Sequence, residues 1–243
     1  MQATVLQRDT DADWRELGAR DPFWGVITHP DYRAENLNDQ KLEAFYASGE
    51  TYIGDIAARL ERATGTAPHG QALDFGCGVG RLSEAMARRA TVTGLDISPG
   101  MLAKARERGA PVTYTDTLPD GPFDWINSFI VFQHIPPARG LALLNDLLAR
   151  LAPGGLISLQ LTFWRDAHLS PDQGHDLRAR YRRWRWEREA ARLPTGTMRM
   201  YDYPLSEVVQ ALKRAGLGEL TLLPTNHDGY HGAIILAQKA GVQ

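Results

Sequence analysis

Cysteine is nearly absent from this chain of 243 residues, where Cys77 stands alone. A single thiol excludes any internal disulfide and leaves nothing resembling a cysteine-based zinc cluster. It fits a reducing compartment. Long hydrophobic runs are also missing. The longest apolar stretches, such as Ala233–Ala237, fall far short of the ~20 residues a membrane span needs. Met1–Thr10 is polar and has no apolar core of the kind a secretory signal carries. No charge of one sign dominates, because 27 Lys and Arg face 29 Asp and Glu for a net charge of −2. Such a chain has no global field for gathering nucleic acid or an anionic membrane. Histidines are scattered: His29, His69, His168, His175, His227 and His231 show no ligand spacing on one element, so no structural metal is expected. No internal repeat or low-complexity tract is present. What is there is ordinary globular material, 43% hydrophobic and 23% charged. A chain of this length buries roughly 70% of its unfolded surface. The expectation is a soluble, cytoplasmic protein with one large domain.

The first 37 residues read as extended chain with one short helix near Trp14–Ala19, and aromatics Trp14, Phe23, Trp24 and Tyr32 are spread along them. From Asp39 the pattern becomes helical. Leu42, Phe45 and Tyr46 share one face, Gly49 interrupts, and Ile53, Ile56 and Leu60 continue the stripe. Short apolar runs then alternate with helical stretches. Strands are predicted at Ala72–Phe75, Thr91–Leu95, Pro111–Tyr114, Phe123–Val131 and Leu156–Leu161, with helices at Arg81–Arg89, after Ser98, and along Leu141–Leu151. Ser98 is a natural N-cap, Pro99 suits the first helical position, and Gly109 is a stop signal. This alternation predicts an α/β fold, a parallel sheet with helices on both faces. Residues 162–199 break the rhythm with nine arginines and five acids, interleaved with Trp164, Tyr181, Trp184 and Trp186. A helix at Leu205–Ala215 follows. Strands at Glu219–Pro224 and Gly232–Gln238 close the chain around a polar hairpin loop, Asn226–Tyr230.

The informative segment is Asp74-Phe75-Gly76-Cys77-Gly78-Val79-Gly80-Arg81. It follows a predicted strand and opens a predicted helix, which is the context of a nucleotide-binding loop. Glycine is needed where backbone must turn tightly and approach a ligand with no Cβ in the way. Asp96 ends the second strand, 20 residues after Gly76, where a carboxylate can accept ribose hydroxyl protons. A dinucleotide loop, G-x-G-x-x-G, would require glycine at position 81, which is arginine. Nothing in the spacing suits a pyrophosphate in particular.

These residues, followed by Gly94-Leu95-Asp96-Ile97-Ser98-Pro99-Gly100-Met101-Leu102, Phe132-Gln133-His134-Ile135-Pro136 and Leu151-Ala152-Pro153-Gly154-Gly155, resemble the class I S-adenosylmethionine-dependent methyltransferases in order and spacing. The four blocks cover roughly residues 70–161, and Leu205–Gln238 is similar to the family's C-terminal helix and strand pair. The resemblance implies a Rossmann-like, seven-stranded, mostly parallel sheet whose last strand is antiparallel. It also implies N-terminal helices acting as a lid (1–65), a cofactor-binding core (66–161), a cap insertion (162–199) and a closing helix and strand pair (200–243). The cofactor it implies is S-adenosylmethionine, with S-adenosylhomocysteine as product. Carried over position by position, Gly76, Cys77 and Gly78 would line the methionine part through their backbones, and Asp96 would bind the ribose. Ile97 and Met101 would pack around the adenine, with Asp116 and Thr117 beside its amino group. Phe129 matches the position whose carbonyl meets the cofactor's amino group, and Asp74 would orient the glycine loop and that amino group. Arg81 either pairs with the methionine carboxylate or is an exposed arginine in the first helical turn.

Methyl transfer from a sulfonium is a direct displacement, so alignment is the protein's main contribution. An oxygen acceptor must also lose a proton. His134 is the candidate general base, because imidazole titrates near neutrality; the alternative is that it only packs the following helix. Gln133 could orient an acceptor. Trp24 or Tyr46 could cover the site or face the sulfonium, or belong to the core. The basic, aromatic segment 162–199 is expected to cap the acceptor site or to form a dimer interface. The function expected is O- or N-methylation of a small molecule or modified peptide, without nucleic acid or membrane as partner. The alternatives are an RNA methyltransferase and a catalytically silent cofactor-binding module.

Overall fold

Alternation with period two puts Ala72 on one face of the first strand and Leu73 on the other, and both are fully buried. A strand buried on both faces needs a layer above and below it. The computed structural model describes residues 8–166, 168–169, 176–190 and 192–241 and supplies both layers. Its strands are β1 (Gln71–Phe75), β2 (Thr91–Leu95), β3 (Val112–Thr115), β4 (Phe123–Ser128), β5 (Leu151–Arg165), β6 (Leu217–His227) and β7 (Tyr230–Lys239). They form one seven-stranded sheet in the order β3-β2-β1-β4-β5-β7-β6. β7 pairs antiparallel with both β5 and β6, and the remaining pairs are parallel. The fold expected from the sequence is the fold observed.

The helices are α1 (Thr10–Arg20), α2 (Pro22–Val26), α3 (Asp39–Thr64), α4 (Arg81–Met86), α5 (Pro99–Glu107), α6 (Pro137–Ala149), α7 (Leu177–Ala190) and α8 (Leu205–Arg214). Leu144, Leu147 and Leu148 of α6 and Val208 and Leu212 of α8 cover the face that carries Leu73, Ile126 and Ile235. Ile53, Ile56 and Leu60 of α3, with Leu82 and Met86 of α4, cover the face that carries Ala72, Trp125 and Leu236. Each β-residue pair thus feeds two cores at once. A third cluster joins Phe45, Tyr46, Val79 and Met101 to Trp14 and Val26, which fastens the N-terminal helices over the loop after β1.

Several elements differ from expectation. The N-terminal region is mostly helical, with α1 capped by Asp9, whose side chain accepts from the N–H groups of Asp11 and Ala12. α3 runs unbroken through Gly49, which is buried. A Cβ there would overlap the Arg81 carbonyl oxygen, so the glycine allows close packing of α3 on α4 and interrupts nothing. α4 stops at Met86, and the chain continues in turns to Arg89. β4 ends at Ser128, because Ile130 takes a positive φ of 57° and turns its N–H to the Gln160 side chain. β5 extends to Arg165 by pairing with β7 as far as Tyr230. Residues 162–165, expected in the cap insertion, are therefore strand.

Candidate functional site

β1 is flanked by β2 on one side and β4 on the other, and the chain direction of the crossovers reverses between them. Open α/β sheets bind ligands at such a point, outside the carboxyl ends of the strands. A cavity of about 890 Å³ lies there, near the top of the range usual for ligand sites, ~300–1,000 Å³.

The loop after β1 forms its floor. Gly76, Gly78 and Gly80 all have positive φ, at 77°, 54° and 82°, a region that side chains with a Cβ enter at a cost. A Cβ on Gly76 would overlap Val131, and one on Gly78 would press on Val26. Bare backbone is thus required twice over. The N–H groups of Gly76 and Cys77 both donate to the Leu95 carbonyl, at 2.8 and 2.9 Å, which stitches the loop to the end of β2. Asp96 completes this stitch. One carboxylate oxygen accepts from the Gly78 N–H at 2.8 Å and the other from the Ser98 N–H at 2.9 Å. Each oxygen keeps a lone pair for a hydroxyl donor. Burial pushes the Asp96 carboxyl up from its ordinary value, and these backbone donors pull it back.

Beneath the loop, buried Asp74 accepts from the Ser83 hydroxyl at 2.6 Å and from the Asn127 amide at 2.9 Å. Burial raises its carboxyl, opposed by these two donors and by Arg81. Arg81 is only 8% exposed. It donates to the Ser48 hydroxyl at 3.0 Å, while its buried Nε has no hydrogen-bond partner. Of the two readings open from sequence, the exposed one is excluded: Arg81 is a buried cation in the cavity wall. Leaving such a donor unpaired is costly unless an anion arrives.

The exit from β4 makes the opposite wall. Phe129, Val131, Gln133 and His134 all line the cavity. The His134 ring is buried, and its Nδ1 lies 2.7 Å from the Arg199 carbonyl oxygen. A carbonyl can only accept, so Nδ1 carries the proton, and Nε2 uses its lone pair to accept from the Gln133 amide at 3.4 Å. Burial pushes the imidazole down to about 4, which leaves it neutral at physiological pH. Trp14 meets its ring edge-on with centroids 4.8 Å apart.

The cavity wall also includes Cys77, Ile97, Met101 and Asp116. Three anticipated residues stand apart. Thr117 is exposed, and its N–H donates to the Thr115 hydroxyl. Trp24 carries the Arg33 guanidinium 3.5 Å from its ring centroid, outside the cavity. Tyr46 is buried in the third cluster, with its hydroxyl donating to the Val79 carbonyl at 3.0 Å. The N-terminal region does cover the loop, but through Val26, Ile27, Thr28 and Trp14. Sequence reasoning missed Tyr52, whose ring lies 4.0 Å from Phe129. It also missed the lining role of Met198, Met200, His227 and Tyr230. The loop between β6 and β7 opens at the same strand ends as the glycine loop, which was the one available signal for the last two. His168 is described and joins no metal cluster; His175 and the Trp186 side chain lie outside what is described. Among the described residues no group of three or more potential ligands could hold a metal ion.

A family described as "Methyltransferase domain" matches residues 48–221. The chain belongs to that family, the class I S-adenosylmethionine-dependent methyltransferases. Trans-aconitate 2-methyltransferase of Methylobacterium nodulans is 37% identical over 115 residues, which are 44% of this chain and 42% of that one. Ubiquinone biosynthesis O-methyltransferase of Xanthomonas campestris pv. campestris is 36% identical over 133 residues, 50% of this chain and 53% of that one. The chain thus spans about half the length of the curated relatives it matches. Magnesium protoporphyrin IX methyltransferase from Synechocystis PCC 6803, solved with bound S-adenosylhomocysteine, superimposes with a TM-score of 0.64 at 19% identity, covering 96% of this chain and 100% of that one.

The residues present fit the methyltransferase cofactor, S-adenosylmethionine. Its amino-acid end needs a cation for the carboxylate and acceptors for the amine, and Arg81 with its unpaired Nε lies in one wall with Asp74. Its ribose needs acceptors, and Asp96 retains them. Its adenine needs an apolar slot, and Ile97, Met101 and Leu118, which line the cavity with Asp116, would provide one.

Proposed function

We propose that this methyltransferase transfers the methyl group of S-adenosylmethionine to an oxygen or nitrogen of a small-molecule acceptor. The single observation that carries the reading is His134, a buried, neutral imidazole of fixed tautomer in the cavity wall that adjoins the glycine loop. When bound, the cofactor supplies an electrophilic methyl group on a sulfonium.

The protein's part follows from its residues. Asp96, Gly78 and Ser98 form a prearranged cradle, so little reorganisation accompanies binding. Gln133 donates from Nε2 toward Met200 Sδ at 3.3 Å and to His134 Nε2 at 3.4 Å, and its buried Oε1 has no partner. That amide oxygen is an acceptor held ready to orient an O–H or N–H group. As a hydroxyl acceptor replaces the Gln133 amide on its lone pair, His134 Nε2 receives that hydroxyl's proton, and the bond from Nδ1 to the Arg199 carbonyl holds the ring in place as charge develops on it. Trp14 supplies a flat apolar wall beside it. Cover from Val26–Thr28 above and from Met198 and Met200 at the side keeps water from the reacting atoms and limits the acceptor to a small molecule.

Turnover of S-adenosylmethionine to S-adenosylhomocysteine against a panel of small carboxylic acids, phenols and amines tests the assignment. With the acceptor found, His134→Ala should lower kcat by ~10²–10⁴ while leaving S-adenosylhomocysteine affinity in place. Tight cofactor binding with no turnover on any acceptor would favour the silent-module alternative.

A further inference from the structure

α7 presents an unusual outer face. Leu177, Tyr181 and Trp184 are 78%, 60% and 46% exposed. At about 100° per residue they fall within an arc of about 60°. Ala179, which is fully buried, lies on the opposite side of the helix and faces the protein. Arginines border the apolar stripe on both sides, with Arg180 on one flank and Arg178 and Arg185 on the other, all exposed, and Arg185 pairs with Glu189 at 2.9 Å. Arg188 lies along the stripe, 4.8 Å over the Trp184 ring, and Tyr181 and Trp184 contact each other at 5.7 Å. Over its 14 residues the helix carries six arginines against two glutamates, within a chain that is net −2 overall.

From this face we infer that α7 is an interfacial helix that docks the protein on an anionic lipid surface. A central aromatic and aliphatic stripe flanked by guanidinium groups is what a helix needs to lie in the headgroup plane, with its rings at the acyl boundary and its charges on the phosphates. Leu177, the most exposed large apolar side chain among the described residues, gains from burial in lipid and would gain nothing from stacking on nucleic-acid bases. The rest of the chain is net negative and would repel an extended polyanion, whereas a bilayer meets the helix alone. Pairing two copies through this face would set arginines against arginines. No helix among the described residues is long and apolar enough to cross a membrane, so the contact is peripheral. Chain-wide charge pointed away from membranes because it averages a local cationic strip against an acidic remainder. This inference stands apart from the acceptor assignment.

The test is flotation of the full chain with phosphatidylcholine vesicles, with and without phosphatidylglycerol. Wild type should float with the anionic vesicles only, and less as salt is raised. Reversing Arg178, Arg180 and Arg185 to Glu should lower partitioning about fivefold per position or more. A second variant, Leu177→Ser with Tyr181→Ser and Trp184→Ser, should also stay unbound, with wild-type thermal melting in both. The inference is overturned if wild type ignores anionic vesicles or if the apolar variant floats like wild type. It is also overturned if wild type binds single-stranded RNA but no vesicle, or if the face proves to hold a dimer by sedimentation.

Discussion

The Nδ1–H of His134 donates to the carbonyl oxygen of Arg199 at 2.7 Å, joining the turn after β4 to the segment that leads into α8. Burial holds this imidazole near 4, against ~6.5 in an unfolded chain. Between these values the unfolded state binds more protons than the folded one, so stability rises with pH. The contribution is complete above ~6.5 and is lost as pH falls toward 4, on the order of 3 kcal/mol. Melting of wild type should therefore decline below pH ~6.5, and His134→Asn should flatten that decline. The plateau of kcat/KM should extend down to pH ~5, where an exposed histidine base would already have failed. A limb near 6.5 would show that His134 is not the titrating group.

Asp96 is the point where the proposed ribose site and the loop geometry meet. Asp96→Ala removes an acceptor from both the Gly78 and the Ser98 N–H. Each charge-assisted bond is worth about 1.5–3 kcal/mol, so titration calorimetry should show S-adenosylhomocysteine affinity reduced by ~10²-fold or more. Ser98→Ala is the control. Ser98 caps α5 through the Met101 N–H, and its loss should cost about 1 kcal/mol of stability with affinity nearly retained. Equal binding by Asp96→Ala and wild type would remove the ribose assignment.

Gly49 separates propensity from packing. At an exposed helical position, Gly→Ala would stabilise by about 0.5–1 kcal/mol. Here a Cβ would overlap the Arg81 carbonyl and side chain, and Arg81 is the cavity's buried cation. Gly49→Ala should destabilise by about 1–3 kcal/mol and weaken cofactor binding with it. A raised melting temperature would show that α3 can move away from α4 without cost.

The same glycine marks where sequence stops being legible. The loop Asp74–Arg81, Asp96 and the cap Ser98-Pro99 were readable because each is a local requirement, a backbone turn or an unsatisfied N–H met by the right residue type. The sheet was readable because alternating strands and helices admit few topologies. Gly49, Trp24 and Tyr46 were misplaced for one shared reason. Their roles depend on a neighbour distant in sequence, Arg81 for Gly49 and Val79 for Tyr46, and on the nearer Arg33 for Trp24. The length of β5 depended likewise on its partner β7. Trp14 and His227 enter the cavity only because α1 and the last hairpin fold back over the strand ends, which no local pattern encodes.

Asp13 holds the cavity's side cover to α1. Its carboxylate accepts from Arg8 Nε and from an Arg8 terminal nitrogen, both at 2.6 Å, and from the Gly196 N–H at 2.9 Å. The two charged side chains are only 7% and 4% exposed. Arg8 reaches on to the carbonyls of Leu193 and Pro194, so the stretch leading to Met198 and Met200 is fastened at both ends of one ion pair. Exposed pairs contribute ~0–1 kcal/mol; removing one member of a buried pair costs about 3–5 kcal/mol. The bonds at the Arg8 end are only partly buried, so Asp13→Ala should lower stability by an amount between these, about 1–3 kcal/mol, and Asp13→Asn, which keeps an acceptor for Gly196, by less. Limited proteolysis should show earlier cleavage at residues 193–197 in Asp13→Ala. KM for the acceptor should rise while S-adenosylhomocysteine affinity, which the proposed site assigns to the glycine loop and Asp96, stays near wild type. Equal protease resistance in both variants and wild type would mean that the cover is held by something other than this pair.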